Sequence, residues 1–94
     1  MLKQIILLAA VRLARTQGLL KLKRQDIANA AECGNGTVNY HFKSMEALRG
    51  AVIEYAVENE IIEVLVQARA ERDPRLGRLS PALKERVANH ITGR

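Results

Sequence analysis

Between Lys21 and Lys43 the chain concentrates side chains suited to hydrogen bonding against a surface, not to making or breaking bonds. Asn35, Thr37, Asn39, Tyr40 and His41 fall within one seven-residue stretch, 35–41. Asn can bond a base edge, and Thr can bond a phosphate or touch a thymine methyl. Tyr40 offers a ring and a hydroxyl, and His41 can donate to phosphate. Gly36 among them allows a backbone to come close to a phosphate or sugar. Any one of these residues alone would be ordinary surface; five on one short segment form a pattern. Just upstream, Lys21, Lys23 and Arg24 crowd the start of a segment that reads as a helix. A helix N-terminus favours negative charge, and no Ser, Thr, Asp or Asn stands at Lys23 to cap it. A phosphate docked at that end would resolve the conflict, because phosphate contacts position a nucleic-acid reader.

Other chemistry is poorly served. There is no nucleophile–base pair, no carboxylate pair, no metal-ligand spacing and no glycine-rich phosphate loop. His41 has only Cys33 and His90 as conceivable co-ligands, both distant in sequence. No catalytic residue, metal or cofactor is therefore expected. The single cysteine, Cys33, excludes an intrachain disulfide, suits a reducing compartment and reads as a structural thiol. No apolar run reaches membrane-spanning length, and residues 1–14 carry Lys3, Gln4 and Arg12 with no signal cleavage pattern after them. The expected location is the cytoplasm, with no membrane partner.

The elements that position these residues are all helical by pattern. Leu2, Ile5, Ile6, Ala9, Ala10 and Leu13 recur at three- and four-residue steps, which predicts a helix over 2–17 with Gly18 as its C-cap. Leu19-Leu20-Lys21-Leu22 reads as a connector with core-directed leucines. A second helix over 24–31 buries Ile27, Ala28 and Ala31, and a turn at Glu32-Cys33-Gly34 leads to a third over 35–41, with Val38 and Phe42 inward. Two helices joined by such a turn make a helix-turn-helix, whose second helix lies in the major groove. The charge agrees. Residues 1–50 hold eight Lys/Arg against three acids, and residues 51–94 hold seven of each, so the whole +5 excess lies with the candidate reader.

Ser44 caps a fourth helix, which the pattern extends from Met45 to about Arg69. Leu48, Val52, Tyr55, Ile62 and Val66 form one apolar stripe, and Ile53, Val57, Ile61, Val64 and Ala68 another. A helix apolar on two sides is buried on two sides. The first three helices can cover only its beginning, so a second subunit is expected over the remainder. After Asp73-Pro74 and a linker, Ser80-Pro81 opens a last helix with Leu83, Val87 and Ile91 as its stripe, ending in a frayed Thr92-Gly93-Arg94. Tyr55, Ile61, Ile62, Leu65, Val66, Leu83 and Val87 are the expected dimerisation residues. The expected division is a helix-turn-helix domain over 1–50 and a helical dimerisation region over 51–94.

These residues resemble the TetR family of bacterial repressors. The resemblance rests on Ile6, Ala9, Ala10, Leu13 and Gly18; on Asp26-Ile27-Ala28; on Gly36-Thr37-Val38-Asn39-Tyr40-His41-Phe42; and on Lys43-Ser44 with Glu46-Ala47-Leu48, covering roughly residues 2–57. It implies a three-helix DNA-binding domain, a homodimer and an operator with two half-sites. Carried over residue by residue, it places DNA contacts on Gln25, Asn35, Gly36, Thr37, Asn39, Tyr40, His41 and Lys43, beside Lys23 and Arg24 at the second helix's start. The chain departs from the family pattern at four positions: Glu32 stands for a turn glycine, Gly34 for a capping serine, Lys23 for a capping threonine and Met45 for a lysine. Family members carry a much longer helical region after the reader, and residues 51–94 are too few to enclose a typical effector pocket.

The expectation is therefore an all-α, sequence-specific repressor acting as a homodimer on double-stranded operator DNA, with no small-molecule effector. Such brevity would suit a plasmid- or phage-borne regulator. The alternative is an antirepressor that traps a related subunit through its apolar fourth helix.

Overall fold

Helix α1 spans Leu2–Gln17 and buries Ile6, Ala9, Ala10, Val11 and Ala14. The computed structural model describes residues 1–92, with side chains described as far as His90. The expected buried face is rotated: Leu2 and Ile5 are 37% and 44% exposed. At 100° per residue the buried arc runs from Ala9 through Ile6, Ala10 and Ala14 to Val11, and Ile5 falls to one side of it, whereas Leu2 lies within the arc, one turn before Ile6, and is exposed at the first position of the helix. Gly18 ends α1 at φ 111°, ψ 140°, a positive-φ conformation outside the left-handed helical region. Its N–H bonds the Ala14 carbonyl at 3.2 Å. A 3₁₀ turn, Leu19–Lys21, follows. Leu19 and Leu22 enter the core, but Leu20 does not and faces solvent.

Helices α2 (Arg24–Ala31) and α3 (Asn35–His41) take the predicted spans. α1 packs on α2, and α2 on α3. Val38 and Phe42 are buried beneath α3, beside Ile27 and Ala28 in the same core.

Helix α4 begins at Met45, capped as expected: the Ser44 hydroxyl accepts from the Ala47 N–H at 3.0 Å. It stops at Asn59, which corrects the single long helix expected from the pattern. Glu60 turns left-handed at φ 55°, ψ 50°, Ile61 donates its N–H to the Ala56 carbonyl at 3.0 Å, and α5 runs from Ile62 to Ala70. The two apolar stripes drove this reversal. Folding back lets Val64, Leu65 and Ala68 enter the core under α1 and α4, where an unbroken helix would have carried them into water.

Another left-handed residue, Arg72 at φ 56°, closes α5. Pro74–Arg78 then forms a 3₁₀ segment, pinned to α4 by Arg75. That guanidinium bonds both carboxylate oxygens of Asp73, at 3.1 and 2.9 Å, and lies 3.4 Å from Glu54. Helix α6 (Pro81–Thr92) starts where Ser80 accepts from the Leu83 N–H at 3.2 Å, and it packs on α5. Thr92 is helical; the Ile91 side chain and Gly93-Arg94 lie outside what is described. A single core reaches from Ile6 to Val87. Leu65, Leu83 and Val87, expected at a subunit interface, are buried inside one chain, because α6, which carries Leu83 and Val87, packs on α5, which carries Leu65.

Candidate nucleic-acid interface

The turn between α2 and α3 sets the site. Glu32 sits at φ 59°, ψ 47°, the conformation a turn glycine would adopt without strain. Around it, the Cys33 N–H bonds the Ala28 carbonyl at 2.9 Å and the Glu32 N–H bonds that of Asn29 at 3.2 Å. This is a Schellman pair, which closes α2 and reverses the chain in three residues. Cys33 is half-buried and packs against the core, as a structural thiol does. Gly34 supplies the N-cap of α3 with no side-chain hydrogen bond.

Pinned beneath by Val38 and Phe42, α3 turns its remaining residues outward. Asn35, Gly36, Asn39 and Tyr40 are exposed, Tyr40 at 72%. Thr37 and His41, one turn apart, are half-buried along the flank. The Tyr40 and His41 rings meet edge to face, centroids 5.0 Å apart. The Lys43 ammonium lies 5.4 Å from the Tyr40 ring centroid, so a cation–π contact holds a positive charge beside the outermost ring. An amide chain ties the two helices together. Asn35 Nδ2 donates to Gln25 Oε1 at 2.8 Å, and Gln25 Nε2 donates to Asn29 Oδ1 at 2.9 Å.

At the start of α2, Lys23 is an N-cap with no side-chain hydrogen bond, as its residue type dictates. Asp26 in the first turn offsets part of the positive charge there. Arg24 is half-buried, and its Nε is a buried donor with no hydrogen-bond partner. Lys23, Arg24 and Gln25 thus stand at the end of α2, and the Gln25–Asn35 bond joins that end to the start of α3.

Two further residues, not expected from the sequence, lie beside this site. Lys3 stands with its ammonium 5.4 Å from the Phe42 ring centroid, which brings the N-terminus of α1 beside the C-terminus of α3. Only the packing of α1 on α3 puts them together. Asn29 extends the amide chain from Gln25 at helical i, i+4 spacing, a signal that was present and carried no weight alone.

The residues expected at a dimer interface are divided by the fold. Leu65, Leu83 and Val87 are internal, whereas Tyr55, Ile61, Ile62 and Val66 are half-buried. Tyr55 and Ile61 line a surface groove of about 470 Å³ with Leu8, Val11, Arg12, Arg15, Thr16 and Glu63. Among the described residues, no group of three His, Cys, Asp or Glu side chains could hold a metal ion, and no helix is long and apolar enough to cross a membrane.

The model of the tetR family of bacterial regulatory proteins matches residues 6–52, half of the 94-residue chain. No curated protein and no solved structure matches the chain. The matched stretch starts at Ile6, a fully buried side chain of α1, crosses the whole α2–α3 unit and ends at Val52, buried in α4. The chain belongs to the tetR family of bacterial regulatory proteins, and its first three helices with the start of α4 are that family's DNA-binding domain.

Proposed function

We propose that the protein is a transcriptional repressor that binds a palindromic operator as a homodimer and needs no small-molecule inducer. The observation that carries this reading is the outward row of α3. Asn35, Asn39 and Tyr40 are exposed on a helix fixed from beneath, with Lys43 against the Tyr40 ring and Lys23 and Arg24 at the adjoining helix end. Asn39 reads a base edge in the major groove, and the lysines and Arg24 hold phosphates on either side. One chain carries one such helix, so a palindrome requires two copies, with their α3 helices about 34–36 Å apart or a multiple of that. What supports a reading without an inducer is that α5 and α6 are spent on completing the core of the single chain.

The test is footprinting of the purified protein on the DNA upstream of its own gene, against scrambled DNA, across a salt series. A protected palindrome retained at physiological salt supports the repressor. Equal, salt-sensitive binding to both DNAs overturns sequence-specific recognition. Binding to neither, with capture of a related regulator subunit, replaces the reading with an antirepressor.

A further inference from the structure

We infer that a second copy of the chain docks on the outer face of α1, across the groove that α1 forms with the α4–α5 hairpin. The inference rests on the homodimer proposed above and assigns the dimer a surface. Six large apolar side chains are exposed among the described residues, and four of them, Met1, Leu2, Ile5 and Leu8, lie together at the start of α1. Of the other two, Tyr40 belongs to the DNA face and Leu20 to the connector after α1. Ile5 and Leu8 are one turn apart, 44% and 40% exposed, and Leu8 continues directly into the groove wall. Exposed leucine and isoleucine in such a row lose water-accessible surface only against another apolar surface.

Charge complementarity selects the occupant. The groove has a basic wall on α1, with Arg12 and Arg15, and an opposite wall on the hairpin, with Tyr55, Ile61 and Glu63. Arg15 spans the groove to Glu63 at 3.5 Å, and Arg12 makes no ion pair among the described residues. Glu58, one turn beyond Tyr55 on α4, is likewise exposed and without an ion pair there. A two-fold axis along the groove sets the α1 wall of each copy over the hairpin wall of the other. Leu8 then meets Tyr55 and Ile61 of the second copy, and Arg12 meets its acidic side. The surface is self-complementary, as an isologous interface must be. It also keeps Tyr55 and Ile61 as dimer contacts and explains why Leu65, Leu83 and Val87 take no part.

The experiment is sedimentation of the full chain across a concentration series, with helical circular dichroism of each variant as the check on folding. The wild type is expected to dimerise. Leu8→Glu and Ile5→Glu, both at exposed positions, should each weaken the dimer at least tenfold with helicity unchanged. Leu20→Glu, an equally apolar exposed site away from the groove, should leave it intact. Arg12→Glu should weaken the dimer, and adding Glu63→Arg should restore it, a rescue that loss of folding would not show. A dimeric wild type unaffected by Leu8→Glu, Ile5→Glu and Arg12→Glu overturns this interface and leaves the repressor reading standing. A wild type that stays monomeric at all concentrations, on and off DNA, overturns the homodimer itself.

Discussion

Asn35 hydrogen-bonds Gln25 across the turn, Nδ2 to Oε1 at 2.8 Å, so two residues expected to touch DNA first hold each other. Gln25 in turn donates to Asn29 at 2.9 Å. Ordering a polar side chain on binding costs about 0.5–1.5 kcal/mol, and this chain of amides meets part of that cost in advance. Gln25→Ala is therefore expected to lower operator affinity while changing folding stability by no more than about 1 kcal/mol, since the bond is exposed. A double-mutant cycle with Asn35→Ala, read by operator titration, should give a coupling of at least about 0.5 kcal/mol. Strictly additive losses would mean that the two amides act independently.

Asn39 and Lys43 stand close in sequence and should fail differently. Asn39→Ala is expected to cost about 1–3 kcal/mol on the operator and little on scrambled DNA, the signature of a lost base contact. Lys43→Ala should weaken both DNAs alike and reduce the slope of log affinity against log salt by about 1. Titrations on both DNAs at several salt concentrations make the comparison. Uniform loss in both variants would remove Asn39 from the base-reading set.

Three helices end on a non-glycine residue in the left-handed region: Glu32, Glu60 and Arg72, at φ 59°, 55° and 56°. An L-residue there is strained by roughly 1–2 kcal/mol, part of which glycine returns as unfolded-chain entropy. Glu32→Gly and Glu60→Gly should each stabilise the fold by about 0.5–1 kcal/mol, measured as a rise in urea midpoint at constant slope. Glu60→Gly is the sharper check, because a continuous α4 would instead be destabilised by about 1 kcal/mol when glycine entered its interior.

Gln67 on α5 clamps the end of α1. Its Nε2 donates to the Ala14 carbonyl at 3.1 Å, and its Oε1 accepts the Leu19 N–H. Gln67→Leu leaves that half-buried N–H unsatisfied and is expected to cost about 1–3 kcal/mol. In a chain of this size, each kcal/mol corresponds to a melting shift of about 4–8 °C. An unchanged melting temperature would show that α1 ends at Gly18 without help from α5.

The amino-acid sequence by itself determined the three helices of the helix-turn-helix region. The helices at 2–17, 24–31 and 35–41 follow from apolar spacing, and the starts of α4 and α6 follow from Ser44 and from Ser80-Pro81. These are local signals, carried by hydrogen bonds and steric limits within a few residues. The tertiary structure alone decided the rest. Glu60 carries no glycine or proline mark, and apolar periodicity runs on through it, because a 3.6-residue repeat reports which side chains want burial and not which surface buries them. Packing Val64, Leu65 and Ala68 under α1 outweighed the strain of one left-handed glutamate, and with it Leu83 and Val87 passed from an expected interface to the core. The same packing turned Ile5 outward, since the arc of α1 that meets α2 and α4 is chosen by those neighbours and not by α1 alone.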